Sequence, residues 1–396
     1  MKEINLQNCT GCRACEHICP QHCISMTPNE DGFLYPEIDQ EKCVKCGLCD
    51  RRCPIHLTFN NDLQQPKVYA TYLRDQEKLM QSSSGGAFFA IASYVLENGG
   101  VVFGCELNQN LEAVHICIRD AKVLSRLHGS KYVQSDTLDT FSQAKEYLEK
   151  GIPVLYTGTP CQIAGLKAFL TKDYAHLITV DLICHGVPSP IFFKRYISWL
   201  EQKIHGKVVS YQFRYKTKCG GSHSGKILYK RRENFISKNI SPTLDPYYSL
   251  FLKGDNHRPC CYNCKYASPN REGDFTIGDY WGIEQIHPEL PTQQGISLLM
   301  VNSCKAFNLM PKISTSLKLV ETTLEQAAAQ NHQLTHPTPK SEKRDALMSA
   351  MRKGDFEQVV VLWHRYYRKE ILLAQIKSMI PPKIKATIKR FVKSFK

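Results

Sequence analysis

CTGCRACEHICP, residues 9–20, returns as CVKCGLCDRRCP over residues 43–54, and each copy spells C-x2-C-x2-C-x3-C-P. The register is strict: Cys9, Cys12, Cys15 and Cys19 recur 34 positions on as Cys43, Cys46, Cys49 and Cys53. Four thiolates crowded into eleven residues can wrap a cubane only if the fourth reaches across to the other copy. A zinc site needs one four-ligand set rather than interleaved triplets, and a disulfide framework needs an oxidising compartment. The repeat therefore points to iron–sulfur chemistry.

This segment closely resembles the two-cluster bacterial ferredoxins. The resemblance implies crossed ligation, with Cys9, Cys12, Cys15 and Cys53 holding one [4Fe-4S] cluster and Cys43, Cys46, Cys49 and Cys19 the other. Residues 1–58 read as that module, stapled by its clusters because so short a segment has little core of its own. FNNDLQQP, residues 59–66, is polar and reads as a linker.

The whole chain has 396 residues, 42% of them apolar, enough for two or three domains with an ordinary interior. No apolar run reaches eighteen residues and MKEINLQNC lacks a signal-like core, so a cytoplasmic protein is expected. Eighteen cysteines then point to metal and redox work rather than disulfides. The formal charge of +14 is uneven, with seven Lys or Arg and no acid over residues 377–396. With no zinc finger, helix-turn-helix or RNP signature to accompany it, a nucleic-acid partner is not expected.

After the linker the pattern becomes α/β. KVYATYL reads as a strand, SSSGGAFFAIASYVLENGG as a loop and helix, and GVVFGCEL as a strand, which suggests a parallel unit. PVLYTGTP, CQIAGLKAFL and LITVDLICHG repeat that grammar, with AVHICI between as a further strand. Beyond Pro188 a helix runs to about Ile204, followed by polar strands, a cysteine- and glycine-rich loop over 258–282, and the late strand ISLLMVNS. Helices dominate from Lys305 onward.

Cys161 opens a helix after one strand and Cys184 ends another, so both belong at the carboxyl edge of a parallel sheet, where such folds place ligands. RPCCYNCKY adds Cys261 and Cys264 at C-x2-C spacing. These four thiols are enough for a third [4Fe-4S] cluster. Two other readings stand beside this one: Cys161 as a catalytic thiol activated by its helix N-terminus, and Cys161 and Cys184 as buried, inert residues. Cys260 could replace Cys261, though C-x3-C is less usual. Cys23, Cys105, Cys117, Cys219 and Cys304 read as structural or incidental.

GTPCQIAGLK from Gly158, CHGVPSP from Cys184, SSSGGAFFA from Ser82, GSKYV from Gly129 and RPCCYNCKYASPNREGDFTIGDYWG from Arg258 together resemble the coenzyme F420 hydrogenase/dehydrogenase beta-subunit family, over about residues 66–305. The resemblance implies a flavin, FAD or FMN, and an electron-passing oxidoreductase. It implies a mixed α/β flavin and iron–sulfur domain over 66–305, after the ferredoxin domain and before a helical region over 306–380. Ser82, Ser83, Ser84, Gly85 and Gly86 precede a helix and could present N–H groups and hydroxyls to a pyrophosphate; a helix cap with close glycine packing explains them as well. Lys131 and Tyr132 match a family motif, with Lys131 placed to stabilise charge on a reduced flavin; a solvated lysine and a packed tyrosine are the alternatives. Arg271, Asp274, Gly278, Asp279 and Trp281 match R-x-x-D-x-x-x-G-D-x-W-G, with Gly278 and Asp279 turning the chain near the cofactor. His185 reads as a hydrogen-bond donor beside a ligand rather than a proton donor to product.

The expected function is a relay between a ferredoxin-type one-electron donor and a small acceptor, a deazaflavin or a biosynthetic intermediate. The alternative is an electron-transfer subunit of a hydrogenase, dehydrogenase or polysaccharide-biosynthesis assembly. Scaffolding by structural clusters is a third reading. No G-x-G-x-x-G follows a strand, which disfavours NAD(P)H. After Pro381-Pro382, KIKATIKRFVKSFK, which closes the segment 381–396, carries Ile384, Ile388, Phe391, Val392 and Phe395 on one helical stripe and basic residues on the other face. That pattern suits an anionic membrane surface, such as the inner membrane, or equally a docked terminal helix.

Overall fold

Near-continuous apolar runs mark the centre of the molecule, as expected for strands covered on both faces. The computed structural model describes residues 6–59, 62–217 and 220–380. In chain order its strands are β1 (Ile24–Pro28), β2 (Leu34–Ile38), β3 (Lys67–Leu73), β4 (Val101–Leu107), β5 (Ala113–Ile118), β6 (Val154–Gly158) and β7 (Leu177–Leu182). They continue with β8 (Lys207–Thr217), β9 (Gly220–Arg231), β10 (Asn234–Ile240), β11 (Phe275–Asp279), β12 (Ser297–Val301) and β13 (Leu317–Thr322). Eight of them form one sheet in the order β13-β3-β12-β11-β7-β6-β4-β5. Its centre, β4, β6, β7 and β11, is parallel, and its flanks are antiparallel.

The strands expected from the sequence are present, but one pairing differs. The unit read as β3, helix, β4 does not place those strands side by side: β3 lies between β12 and β13. The partners of β3 stand more than two hundred positions along the chain, which a local pattern does not carry. The sheet also continues past residue 305, taking its edge strand β13 from within the region expected to be helical.

Helices cover both faces. We label those used below α1 (Ala14–Ile18), α2 (Leu48–Arg51), α3 (Ala87–Glu97), α4 (Pro160–Leu170), α5 (Pro190–Ile204) and α6 (Phe356–Met379). On one face Ala90, Ile91 and Val95 of α3 pack with Val102, Leu155, Val180 and Leu299. On the other, Ile163, Leu166 and Phe169 of α4 pack with Phe103, Tyr156 and Leu177. Beside this body β8, β9 and β10 form a second, antiparallel sheet, whose core joins α5 and α6.

The N-terminal module is built from the β1–β2 hairpin with α1 and α2. It shares its interior with the body: Cys12 and Ala14 belong to the α4 core and Phe33 to the α5 core. Gly32, with φ +79°, lies so close to Ile191 that an added Cβ would stand 2.5 Å from its Cβ. Arg13 reaches across to Asp136, Nη2 donating to Oδ2 at 2.8 Å. No helix among the described residues is long and apolar enough to cross a membrane. The basic segment 381–396 and Cys219 lie outside the described residues.

Candidate metal centres

The interleaving of the two cysteine motifs is visible in the thiol environments. Burial first, then the neighbouring thiols of Cys12, Cys9 and Cys53, and last that of Cys49, raise Cys15. Cys12 is pushed up to about 12 by burial and by Cys9 and Cys53. Three thiols of the first copy therefore gather with the last thiol of the second. At the other end of the module Cys19 lines a small cleft with Cys43, Cys46 and Cys49. Cys23, read from sequence as incidental, lines it too, its Sγ 3.4 Å from that of Cys19.

The first set faces the body and the second faces solvent. Gly165, on the second turn of α4, opposes Cys12, and an added Cβ would stand 2.8 Å from the Cys12 Cβ and 3.0 Å from its Sγ. Cys46 is exposed, and Val44 beside it is 61% exposed. We call these sets inner and outer.

The third set forms at the carboxyl edge of the sheet. β6 and β7 are parallel neighbours, with Gly158 opposite Asp181, so the loops carrying Cys161 and Cys184 leave the sheet side by side. Cys161, Cys184, Cys260, Cys261 and Cys264 line one cavity of about 450 Å³, whose wall also includes Asn8, Thr10 and Ile55 of the module. The inner set and the cavity are thus neighbours. Tyr266, which donates to Pro54 O at 3.3 Å, feels the thiols of Cys161, Cys12 and Cys264.

Burial pushes Cys184 up to about 12 and raises Cys161 well above the ordinary thiol value, with Cys264, Cys184 and Cys260 adding to it. This is the opposite of the activation a helix N-terminus alone gives a thiol. Buried neutral thiols are relieved when a metal core takes their anions and releases their protons. Among the described residues no three of His, Cys, Asp or Glu are drawn together to share a single ion. The donors are all sulfur, as an iron–sulfur core requires.

The loop bearing Cys261 and Cys264 is stapled to the sheet by the R-x-x-D pattern. Arg271 Nη2 meets Asp181 Oδ1 at 3.1 Å, both side chains fully enclosed, and also donates to Leu182 O at 2.8 Å. Asp274 accepts from Thr179 N at 2.8 Å and Ser303 Oγ at 2.7 Å. These residues position the loop. His185 lines the cavity with Nε2 3.0 Å from Leu252 O and Nδ1 3.0 Å from Gln333 Nε2. Burial lowers its pKa.

The residues singled out for a flavin divide into two groups. Ser83, Tyr132 and Asp279 converge on Arg214, whose Nη1 donates to Asp279 Oδ2 at 2.6 Å and Tyr132 Oη at 3.2 Å, with Nη2 3.4 Å from Ser83 O. Trp281 adds its ring 5.9 Å from the guanidinium carbon. Lys216 stands next to this group, donating to Ser84 O at 2.6 Å and Leu79 O at 2.7 Å, and burial pulls it down to about 8. Arg214 and Lys216 were not singled out in the sequence; alternate residues on one strand face are a weak signal without knowledge of what they face.

The other group is committed elsewhere. Lys131 Nζ donates to Leu127 O at 3.1 Å and His128 O at 2.8 Å, and burial lowers it. Ser82 and Ser84 hydroxyls donate to Lys78 O and Ile296 O. A Cβ on Gly85 would stand 2.1 Å from Thr71 O, one on Gly86 2.3 Å from Leu73 Cδ1, and one on Gly278 2.7 Å from Ile183 Cδ1, so close packing accounts for all three glycines.

Residues 153–327 match the family model for the carboxyl terminus of the coenzyme F420 hydrogenase/dehydrogenase beta subunit. Residues 8–56 match the 4Fe-4S dicluster domain. No curated protein matches the chain. Among solved structures, a chain of the F420-reducing [NiFe] hydrogenase complex from Methanosarcina barkeri is similar at 16% identity and a TM-score of 0.43, over 79% of this chain and 95% of that one.

Proposed function

We propose, from the premise that this chain carries a 4Fe-4S dicluster domain followed by the carboxyl-terminal domain of the coenzyme F420 hydrogenase/dehydrogenase beta-subunit family, that it is an iron–sulfur flavoprotein oxidoreductase. In this reading Cys9, Cys12, Cys15 and Cys53 hold the inner cluster and Cys19, Cys43, Cys46 and Cys49 the outer one. Cys161, Cys184, Cys261 and Cys264 hold a third. Iron–sulfur cores exchange single electrons and a flavin exchanges two, which is the chemistry these groups supply when bound.

The observation that carries the reading is the contact of the inner thiol set with α4, whose first turn bears Cys161. The outer set opens to solvent at Cys46 and Val44, where a ferredoxin or other one-electron donor can approach. Arg214 and Lys216 are the cations for a flavin pyrophosphate, and Tyr132 and Trp281 are the aromatic surfaces for its rings. Lys131, held by two carbonyls, positions the GSKY loop in place of touching the cofactor. The acceptor is a small molecule.

The test is composition. Anaerobically purified protein should contain about twelve iron atoms per chain in three cubanes and one FAD or FMN. Eight irons with no flavin would remove the flavoprotein reading and leave an electron carrier.

A second reading, a subunit that delivers electrons to a larger assembly, is favoured by the end of α6. There Leu372, Leu373, Ile376 and Met379 are 50–80% exposed. Reduction of a small acceptor by the isolated chain separates the two.

A further inference from the structure

Arg258 is fully enclosed, at 0% exposure, between the module and the body. Its Nε donates to Cys9 O at 2.7 Å, its Nη2 to Leu34 O at 2.9 Å and its Nη1 to Gln134 Oε1 at 3.1 Å. The guanidinium carbon lies 4.2 Å from the Tyr35 ring centroid and 5.4 Å from that of Phe33. Every one of these partners is neutral. The other buried arginines differ: Arg214 has Asp279, Arg271 has Asp181 and Arg344 has Asp31. Among the described residues no carboxylate pairs with Arg258.

A buried charge without a counter-charge is strongly unfavourable, and Arg cannot shed its proton to escape. The guanidinium holds the Cys9 carbonyl of the inner set, and Cys260, two residues on from Arg258, lines the cavity. The other charges facing the inner set are already engaged or wet. Arg13 is paired with Asp136 and Glu16, and Lys265, an exposed residue, spends its ammonium on the Pro54, Ile55 and Leu57 carbonyls. At the outer set the cations are Lys45, which lines the cleft, and Arg51, which donates to Cys46 O at 2.9 Å, and both stand in solvent. Water and salt screen them.

We infer that Arg258 is the resident counter-cation of the inner cluster, and that it sets the reduction potential of that cluster above that of the outer one. Reduction adds one negative charge to a core, and a fixed cation in low dielectric stabilises the added charge. One electron then passes from the outer core, which is oxidised by one, to the inner core, which is reduced by one, with no proton moved. The arginine makes the relay run inward. This rests on the cluster reading of the two thiol sets.

The test is a potentiometric titration of the anaerobically purified full-length holoprotein, followed by electron paramagnetic resonance, with iron content measured on each sample. In Arg258→Gln the inner step should move to more negative potential. Arg258→Lys, which keeps the charge, should restore it, and Gln134→Ala, which removes one clamp bond but no charge, should leave it unmoved. Val44→Asp, an added anion at the outer cleft, titrated at low ionic strength where an exposed charge is little screened, should shift only the lower of the two module steps. An inner step unmoved in Arg258→Gln at full iron content overturns the inference. If that variant does not fold, the Val44→Asp titration still decides it, because a shift of the higher step contradicts the assigned order. Wild-type protein without iron would instead sink the cluster reading itself.

Discussion

At the scale of single residues, two positions make the account testable. Cys260 and Cys261 both line the third cavity, and only one completes a four-thiol set with Cys161, Cys184 and Cys264. The C-x2-C spacing favours Cys261, so Cys261→Ser should lose about four irons per chain while Cys260→Ser keeps them; iron analysis beside the wild type decides. Asp245 is the second position. Burial raises its carboxyl to about 6, although it accepts from Tyr196 Oη at 2.7 Å and Tyr248 N at 2.8 Å. A folded pKa above the unfolded one means its contribution to stability is present below about pH 4 and is lost as pH rises to about 6. Asp245→Asn keeps the acceptor and removes the charge. Its urea midpoint should gain on wild type as pH rises from 5 to 7, toward roughly 2 to 3 kcal/mol; a gap independent of pH contradicts the assignment. The cysteine positions were readable because ligand spacing within a loop is a local property. Arg258 and Arg214 were not, because their partners, Cys9 and Asp279, stand 249 and 65 residues away.

At the scale of elements, α4 is where module and body meet. Its start is legible in the sequence: Pro160 stands at its first turn, and Gln162 Oε1 accepts from Thr159 N at 3.0 Å. Its glycine has a reason visible only in three dimensions, since Gly165 gives Cys12 room. Gly165→Leu forces a side chain into the inner thiol set, with an overpacking cost of about 1 to 3 kcal/mol. The variant should melt earlier and lose about four irons, those of the inner set, while the outer set keeps its own. Unchanged iron would mean that the module sits further from α4 than described. The parallel centre of the sheet was readable from apolar runs alternating with helices. The place of β3 between β12 and β13 was not, because both of its partners lie more than two hundred positions along the chain.

At the scale of the whole molecule, the three thiol sets lie in sequence from solvent to sheet edge, and the exposed end of α6 leads into the basic segment 381–396. We propose that this end contacts an anionic membrane surface. Full-length protein should then sediment with anionic liposomes and a chain ending at Ser378 should not; equal binding would show that the end beyond Ser378 makes no membrane contact. The relay itself is tested most directly by stopped-flow reduction with a one-electron donor, following cluster and flavin absorbance in wild type and Cys161→Ala. The account predicts that flavin bleaching follows cluster bleaching in wild type. In the variant the module should still be reduced at the same rate while the flavin stays oxidised on that timescale. Flavin reduction at an unchanged rate in Cys161→Ala would show that electrons bypass the third thiol set, and would contradict the account.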